Sequence, residues 1–176
     1  MKEILTIENI RFMFEYDEES GIIKWKNPLT TRTSKGDIVN NKDSKGYLRV
    51  NICGAGYVKA HRVAWMHFYG NALKSSEHID HINGNRCDNR IANLRIASIK
   101  ENLRNTKKHI DGNAPYKGIT FNKKCNKWQA QISGGGKYKY IGLFADPKLA
   151  AIEYDSHAIE IYGEFARTNA MLGLLP

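Results

Sequence analysis

The sequence predicts an α+β chain in two parts, and three stretches carry that prediction. Residues 78–109 read as strand, polar loop, strand and helix; two short alternating hairpins precede them; three alternating strands and an alanine-lined helix follow. Each part mixes short antiparallel strands with single helices.

The central stretch is the most informative. His78–His81 alternates with apolar Ile79 and Ile82, and Asn83, Gly84, Asn85, Asp88 and Asn89 crowd the turn that follows. Leu94–Ala97 reads as the return strand. Ser98 and Glu101 have the Ser-x-x-Glu form that opens a helix, expected from Ile99 to about His109 with an apolar stripe of Ile99, Leu103, Thr106 and Ile110. Asn102 lies beside Ile99 and Thr106 on that helix, so it can face the hairpin. Asp80, His81, Asn93 and Asn102 then make the inventory of a small metal site. A carboxylate and an amide carbonyl are hard oxygen ligands suited to Mg²⁺ or Mn²⁺, one ion per site, and the adjacent histidine is placed to take a proton.

This stretch resembles the beta-beta-alpha metal motif of HNH endonucleases, particularly the homing endonucleases of phages and their introns. His81 matches the first motif position, Asn93 the second and Asn102 the third, with asparagine where the family name calls for a second histidine. The run DNRIANLR from Asp88 to Arg95 extends the likeness. The resemblance implies a beta-beta-alpha metal nuclease core in residues 1–108 that hydrolyses a phosphodiester to 5′-phosphate and 3′-hydroxyl ends. In it Asp80 and Asn102 hold the metal, His81 is the general base, and Asn93 ties the loop together and orients His81.

Composition sets the partner class. Of 176 residues, 27 are Lys or Arg and 18 Asp or Glu, a net charge of +9, which points to a polyanion. The charge is concentrated: Arg86, Arg90, Arg95, Lys100, Arg104, Lys107 and Lys108 face only Asp88 and Glu101 in one zone, and residues 117–139 hold six lysines and no acid. Double-stranded DNA is the expected partner of what is read as a monomer. Cys53, Cys87 and Cys125 are far apart and odd in number, which suits a reducing compartment and neither a disulfide framework nor a zinc site. The start, MKEILTIEN, lacks the apolar run of a signal peptide, and no stretch approaches a membrane span. A soluble protein in the cytoplasm of a bacterial or phage-infected cell, with no membrane partner, is expected.

Upstream, Ile7, Ile10 and Phe14 have helical spacing with Thr6 as N-cap, and residues 16–26 turn at Ser20-Gly21 into a strand. Residues 27–44 are polar and aperiodic, either a phosphate-tracking loop or solvated surface. Residues 46–52 and 57–60 form a second hairpin. His61–Tyr69 reads as a helix ended by Gly70 that packs behind the central hairpin. His61 and His67 are six apart, on different faces of this helix, and are read as structural or DNA-contacting.

Downstream, residues 109–115 have the composition of a linker. Strands are expected over 116–122, 128–133 and 138–144, and Asp146-Pro147 supplies the N-cap and first residue of a helix lined by Ala151, Tyr154, Ala158 and Ile161. Trp128, Ala130 and Ile132 point to that helix, leaving Gln129, Gln131 and Ser133 on the open sheet face. The segments YKGIT, KWQAQI, YIGLF, AAIEYDSHAI and ARTN resemble the APETALA-two domain of plant ethylene-response factors, over Tyr116–Asn169. That likeness implies a DNA-binding domain over residues 116–176, reading DNA through Lys117, Thr120, Gln129, Gln131, Tyr138 and Tyr140. Arg86, Arg90, Arg95, Arg104, Lys107 and Lys108 are the expected phosphate contacts of the first part. The rival readings are a DNA-binding regulator with a decayed catalytic core and a structural zinc protein.

Overall fold

The computed structural model describes residues 5–74, 76–105, 114–134 and 137–175. They form a mixed α+β chain with four α-helices and small antiparallel sheets, which divides into two compact units, Met1–Ile99 and Lys100–Pro176. No helix among the described residues is long and apolar enough to cross a membrane.

In the first unit, helix α1 (Ile7–Met13) starts where Thr6 Oγ1 accepts a hydrogen bond from the Asn9 amide. The chain then extends into β1 (Phe14–Tyr16), which pairs with β2 (Ile23–Trp25). Residues 27–44 are less open than their polarity suggests. Trp25 N donates to Asp37 O, Val39 N donates to Ile23 O, and Val39 is buried. β3 (Arg49–Ile52) pairs with β4 (Gly56–Lys59), which runs directly into α2 (Ala60–Tyr69). Gly70 ends α2 in the left-handed conformation, φ 64°, donating to Met66 O.

β5 (His78–His81) and β6 (Leu94–Ala97) pair antiparallel with His78 opposite Ala97 and Asp80 opposite Arg95. Ile79 and Leu94 reach one apolar core with Val63, Ala64 and Trp65 of α2 and Phe14 and Trp25 of the first hairpin. The hairpin is thereby fixed on the rest of the unit by its apolar side chains.

Helix α3 (Ile99–Arg104) straddles the division, and its expected extension to His109 lies outside the described residues. Ile99 and Leu103, read as an apolar stripe, are exposed. The division falls at the start of α3 because the end of that helix is tied to the second unit. Lys117 Nζ donates to Arg104 O at 3.4 Å, Arg167 Nη1 donates to Asn105 Oδ1 at 3.2 Å, and the Arg104 guanidinium lies 5.0 Å from the Tyr162 ring centroid. Most of the expected linker, residues 109–113, lies outside the described residues.

In the second unit β7 (Ile119–Asn122), β8 (Lys127–Gly134) and β9 (Lys137–Phe144) form one antiparallel sheet in chain order, with a bulge at Ala130/Gln131. Helix α4 (Pro147–Tyr162) starts at Asp146, whose carboxylate accepts from Lys148 N at 2.8 Å. It packs Ala150, Tyr154 and Ala158 against Ile119, Ala130 and Ile132. A buried polar staple locks the C-terminal turn. The Asp155 carboxylate accepts from Asn169 N and Nδ2, both at 2.8 Å, and from Ala170 N, while Asn169 Oδ1 accepts from Lys117 N at 2.6 Å.

Candidate active site

β5 carries Asp80 and His81 into a closed environment, only 4% and 3% exposed. Alternation alone would put one of two neighbouring strand residues in solvent. Here both are covered: Arg95 bonds to Asp80, and Asn89 and the His61 ring lie against His81. His81 Nε2 lies 3.2 Å from Asn89 Oδ1. A hydrogen bond donated to that amide oxygen would put the ring proton on Nε2 and the lone pair of the neutral imidazole on Nδ1. Burial pushes the His81 pKa below its ordinary value, against the smaller upward effects of the Asn89 bond and the nearby carboxylates, so the ring is neutral at pH 7.

Two aromatic rings cluster with this imidazole on one side, 5.4 Å from each other. The His61 ring, at the N-terminal end of α2, stands edge-on at 5.1 Å between centroids, and Tyr47 lies 5.8 Å away. Burial, helped by the neighbouring His81, Lys59 and Arg62, lowers the His61 pKa to about 3. His61 Nδ1 and Asn89 Nδ2 are buried with no hydrogen-bond partner among the described residues. Such groups are costly and concentrate where a protein does chemistry.

The loop is held by its asparagines. Asn93 Oδ1 accepts from Asn83 N at 2.9 Å and Asn93 Nδ2 donates to Asp88 O at 2.8 Å, closing the ends of the 83–93 segment on each other. Asn93 thus ties the loop, and the hydrogen bond to His81 Nε2 comes from Asn89. The first hairpin braces the same point: Tyr16 OH donates to Asn89 O at 2.7 Å and Ile91 N donates to Glu18 O at 3.1 Å.

The expected DNA contacts divide into two groups. Arg95 Nε and Nη2 donate to Asp80 Oδ2 at 3.0 and 2.8 Å, and Arg90 forks onto Asp88, whose pKa it lowers to about 2. Arg86 donates to Lys45 O at 2.6 Å and stands over Tyr47. Lys117 Nζ donates to Arg167 O at 2.9 Å, and burial lowers its pKa to about 8. These four side chains, read as DNA contacts, have partners within the chain, and the Arg104 guanidinium lies over the Tyr162 ring. Lys107 and Lys108 lie outside the described residues. By contrast, pairing of Thr120 with Gln129, Gln131 with Tyr140 and Ser133 with Tyr138 puts these residues on one sheet face. Tyr138 and Tyr140 are 76% and 56% exposed there.

Asn102 is half-buried on α3, in the second unit. Among the described residues no three His, Cys, Asp or Glu side chains gather as a metal cluster. That is not the multi-ligand nitrogen and sulfur set of structural zinc. A buried carboxylate beside a neutral imidazole suits a hard, hydrated divalent cation, which needs only one or two carboxylates when phosphate supplies further oxygens.

A family profile for HNH endonucleases matches residues 58–104, the segment from β4 through α3. Protein 3.8 of Escherichia phage T7 is 31% identical over 90 residues, which span 51% of this chain and 74% of the phage protein. The chain belongs to the phage T7 protein 3.8 family. Its HNH endonuclease domain thus contains Asp80, His81, Asn89, Asn93 and Arg95, and also His61. The chain is further similar to APETALA2-like protein 2 of rice (Oryza sativa subsp. indica), 40% identical over 60 residues. It is equally similar, over 60 residues, to an AP2-like ethylene-responsive transcription factor of Arabidopsis thaliana. Those segments span 33% of this chain but only 14% and 17% of the plant proteins.

The sequence does not mark His61 or Asn89 as a neighbour of His81. Asn89 sits in the polar turn with four other turn-forming residues and looks like one of them. His61 meets His81 only through tertiary packing, which its spacing from His67 does not reveal.

Proposed function

We propose that this protein is a divalent-metal-dependent DNA endonuclease of the HNH homing type, with its reaction centre at Asp80 and His81. The observation that carries the reading is the buried imidazole of His81, neutral at pH 7 and held by Asn89, next in sequence to a buried carboxylate. His81 takes the proton from an attacking water, and Asn89 Oδ1 stabilises the imidazolium that results. His61 and Tyr47 pack against one side of the ring and against each other. Asp80 would hold one Mg²⁺ or Mn²⁺ ion. When bound, that ion supplies Lewis-acid stabilisation of the charge that develops on the phosphate and the leaving 3′ oxygen. Asn93 keeps the loop closed so that Asn89 stays in register with His81.

The second unit serves as a DNA-targeting domain of the APETALA-two kind. An uncovered antiparallel sheet face with Thr120, Gln129, Gln131, Tyr138 and Tyr140 fits the major groove, where glutamine pairs with adenine edges. Support comes from the similarity to the plant proteins and from the exposure of Tyr138 and Tyr140. The protein acts as a monomer on double-stranded DNA in the cytoplasm of a phage-infected cell, one strand at each encounter.

The test is cleavage of supercoiled plasmid with Mg²⁺, with Mn²⁺ and with chelator, followed by end analysis. The expected products appear only with metal and carry 5′-phosphate and 3′-hydroxyl ends that ligase reseals. Metal-independent cleavage, or ends that ligase rejects, contradicts the assignment.

A further inference from the structure

We propose that Arg95 sets the affinity of the Asp80 site for its divalent cation by acting as a built-in counter-ion with which the metal must compete. The inference rests on the reading of Asp80 as a metal ligand. It starts from the strand register. Residues 78–81 and 94–97 pair so that Asp80 faces Arg95 directly across the hairpin, and both guanidinium N–H groups converge on Asp80 Oδ2, Nε at 3.0 Å and Nη2 at 2.8 Å.

Burial separates this pair from an ordinary surface ion pair. The side chains of Arg95 and Asp80 are 12% and 5% exposed, whereas Arg90, paired with Asp88 two residues away in sequence, is 52% exposed. An exposed pair is screened by water and worth little. A carboxylate shut away from water must be compensated by a nearby cation, and Arg95 supplies that compensation in the metal-free protein. Leu94 and Ala97 on the same strand are buried and fix the backbone from which Arg95 reaches Asp80.

The consequence is a competition at one carboxylate. A divalent ion arriving at Asp80 meets a fixed positive charge on the same group, in surroundings where charges are weakly screened. Arg95 therefore weakens metal binding in the free protein. A negative phosphate brought into the site offsets that repulsion, so the metal is held best when DNA is present. This gives Arg95 a function different from the phosphate contact that its charge alone suggests.

The test is Mn²⁺ binding to the full chain without DNA, followed by electron paramagnetic resonance of free Mn²⁺ for wild type, R95Q, R95M, R95K and D80N. The neutral variants R95Q and R95M should bind Mn²⁺ at least about tenfold more tightly than wild type, because a like charge is removed from the site. R95K, which keeps the charge, should stay within about threefold of wild type, and D80N should lose the site. Mn²⁺ should also raise the melting temperature of R95Q more than that of wild type, since the ion replaces the lost counter-ion. If R95Q is unfolded without metal, recovery of its melting transition in saturating Mn²⁺ is the same result read through stability, and failure to recover overturns the proposal. Affinity in R95Q and R95M equal to or weaker than wild type, with D80N still defective, overturns the role of Arg95 and leaves Asp80 a ligand. Affinity unchanged in D80N instead removes the metal site itself.

Discussion

Gly21 links the first hairpin to the proposed catalytic loop and offers a perturbation remote from the chemistry. Its φ is +73°, and a Cβ built there would lie 2.4 Å from Arg90 N and 2.6 Å from Asn89 C, both backbone atoms that no side-chain rotation can move. Gly21→Ala therefore imposes about 1–2 kcal/mol of left-handed backbone strain. The overlap adds about 1–3 kcal/mol as hairpin and loop are forced apart. Gly36→Ala is the control: φ is +90° and nothing lies within 4 Å, so only strain is added. Because Asn89 carries the hydrogen bond to His81, displacing the loop by about 1 Å should also lower the cleavage rate by about 10²-fold. Urea unfolding of both variants, with plasmid cleavage at matched folded fraction, measures the two effects. A Gly21→Ala protein as stable as Gly36→Ala and fully active would refute the bracing of Asn89 by the hairpin.

Further expectations concern both units. Asn169→Ala should destabilise the second unit by about 3 kcal/mol in urea titrations, since it removes the Asn169 Nδ2 bond to the buried Asp155 carboxylate and the side-chain oxygen that accepts from Lys117 N. The stability of that unit should rise as pH increases from 8 to about 10. Lys117 has a folded pKa of about 8 against an unfolded 10.5, so in that window the unfolded chain binds more protons, and the gain read by thermal melting is about 2 kcal/mol after allowance for partial exposure. Above that window the trend should reverse, because burial keeps the Tyr154 hydroxyl un-ionised in the folded state only. The double variant Tyr138→Ala/Tyr140→Ala should lose about tenfold or more in DNA affinity by fluorescence anisotropy, from loss of two exposed rings on the proposed docking face, with melting temperature unchanged.

Local pattern made the elements legible and long-range contact limited the sites. Strands at 78–81 and 94–97, the N-caps Thr6 and Asp146, and the glycine that ends α2 are all decided within a few residues, and the structure places them where the spacing does. The ion pair between Asp80 and Arg95 was also open to prediction, because once those two strands are set they face each other. Arg95 was read from its charge instead of its register. Lys117 misled in the same way, since charge says nothing of the carbonyls of Arg104 and Arg167 that surround its ammonium. His61 lies 20 residues from His81 in the chain, and only the packing of α2 behind the hairpin brings the rings together.

The most direct test of the account is His81→Ala, with cleavage and DNA affinity measured on the same preparation. Removing a general base should lower the cleavage rate by about 10²–10⁴-fold, while affinity for DNA stays within about threefold because the phosphate-contacting surface is intact. Cleavage at the wild-type rate by that variant would mean that the buried imidazole at the end of β5 takes no proton, and the assignment of the active site would fall.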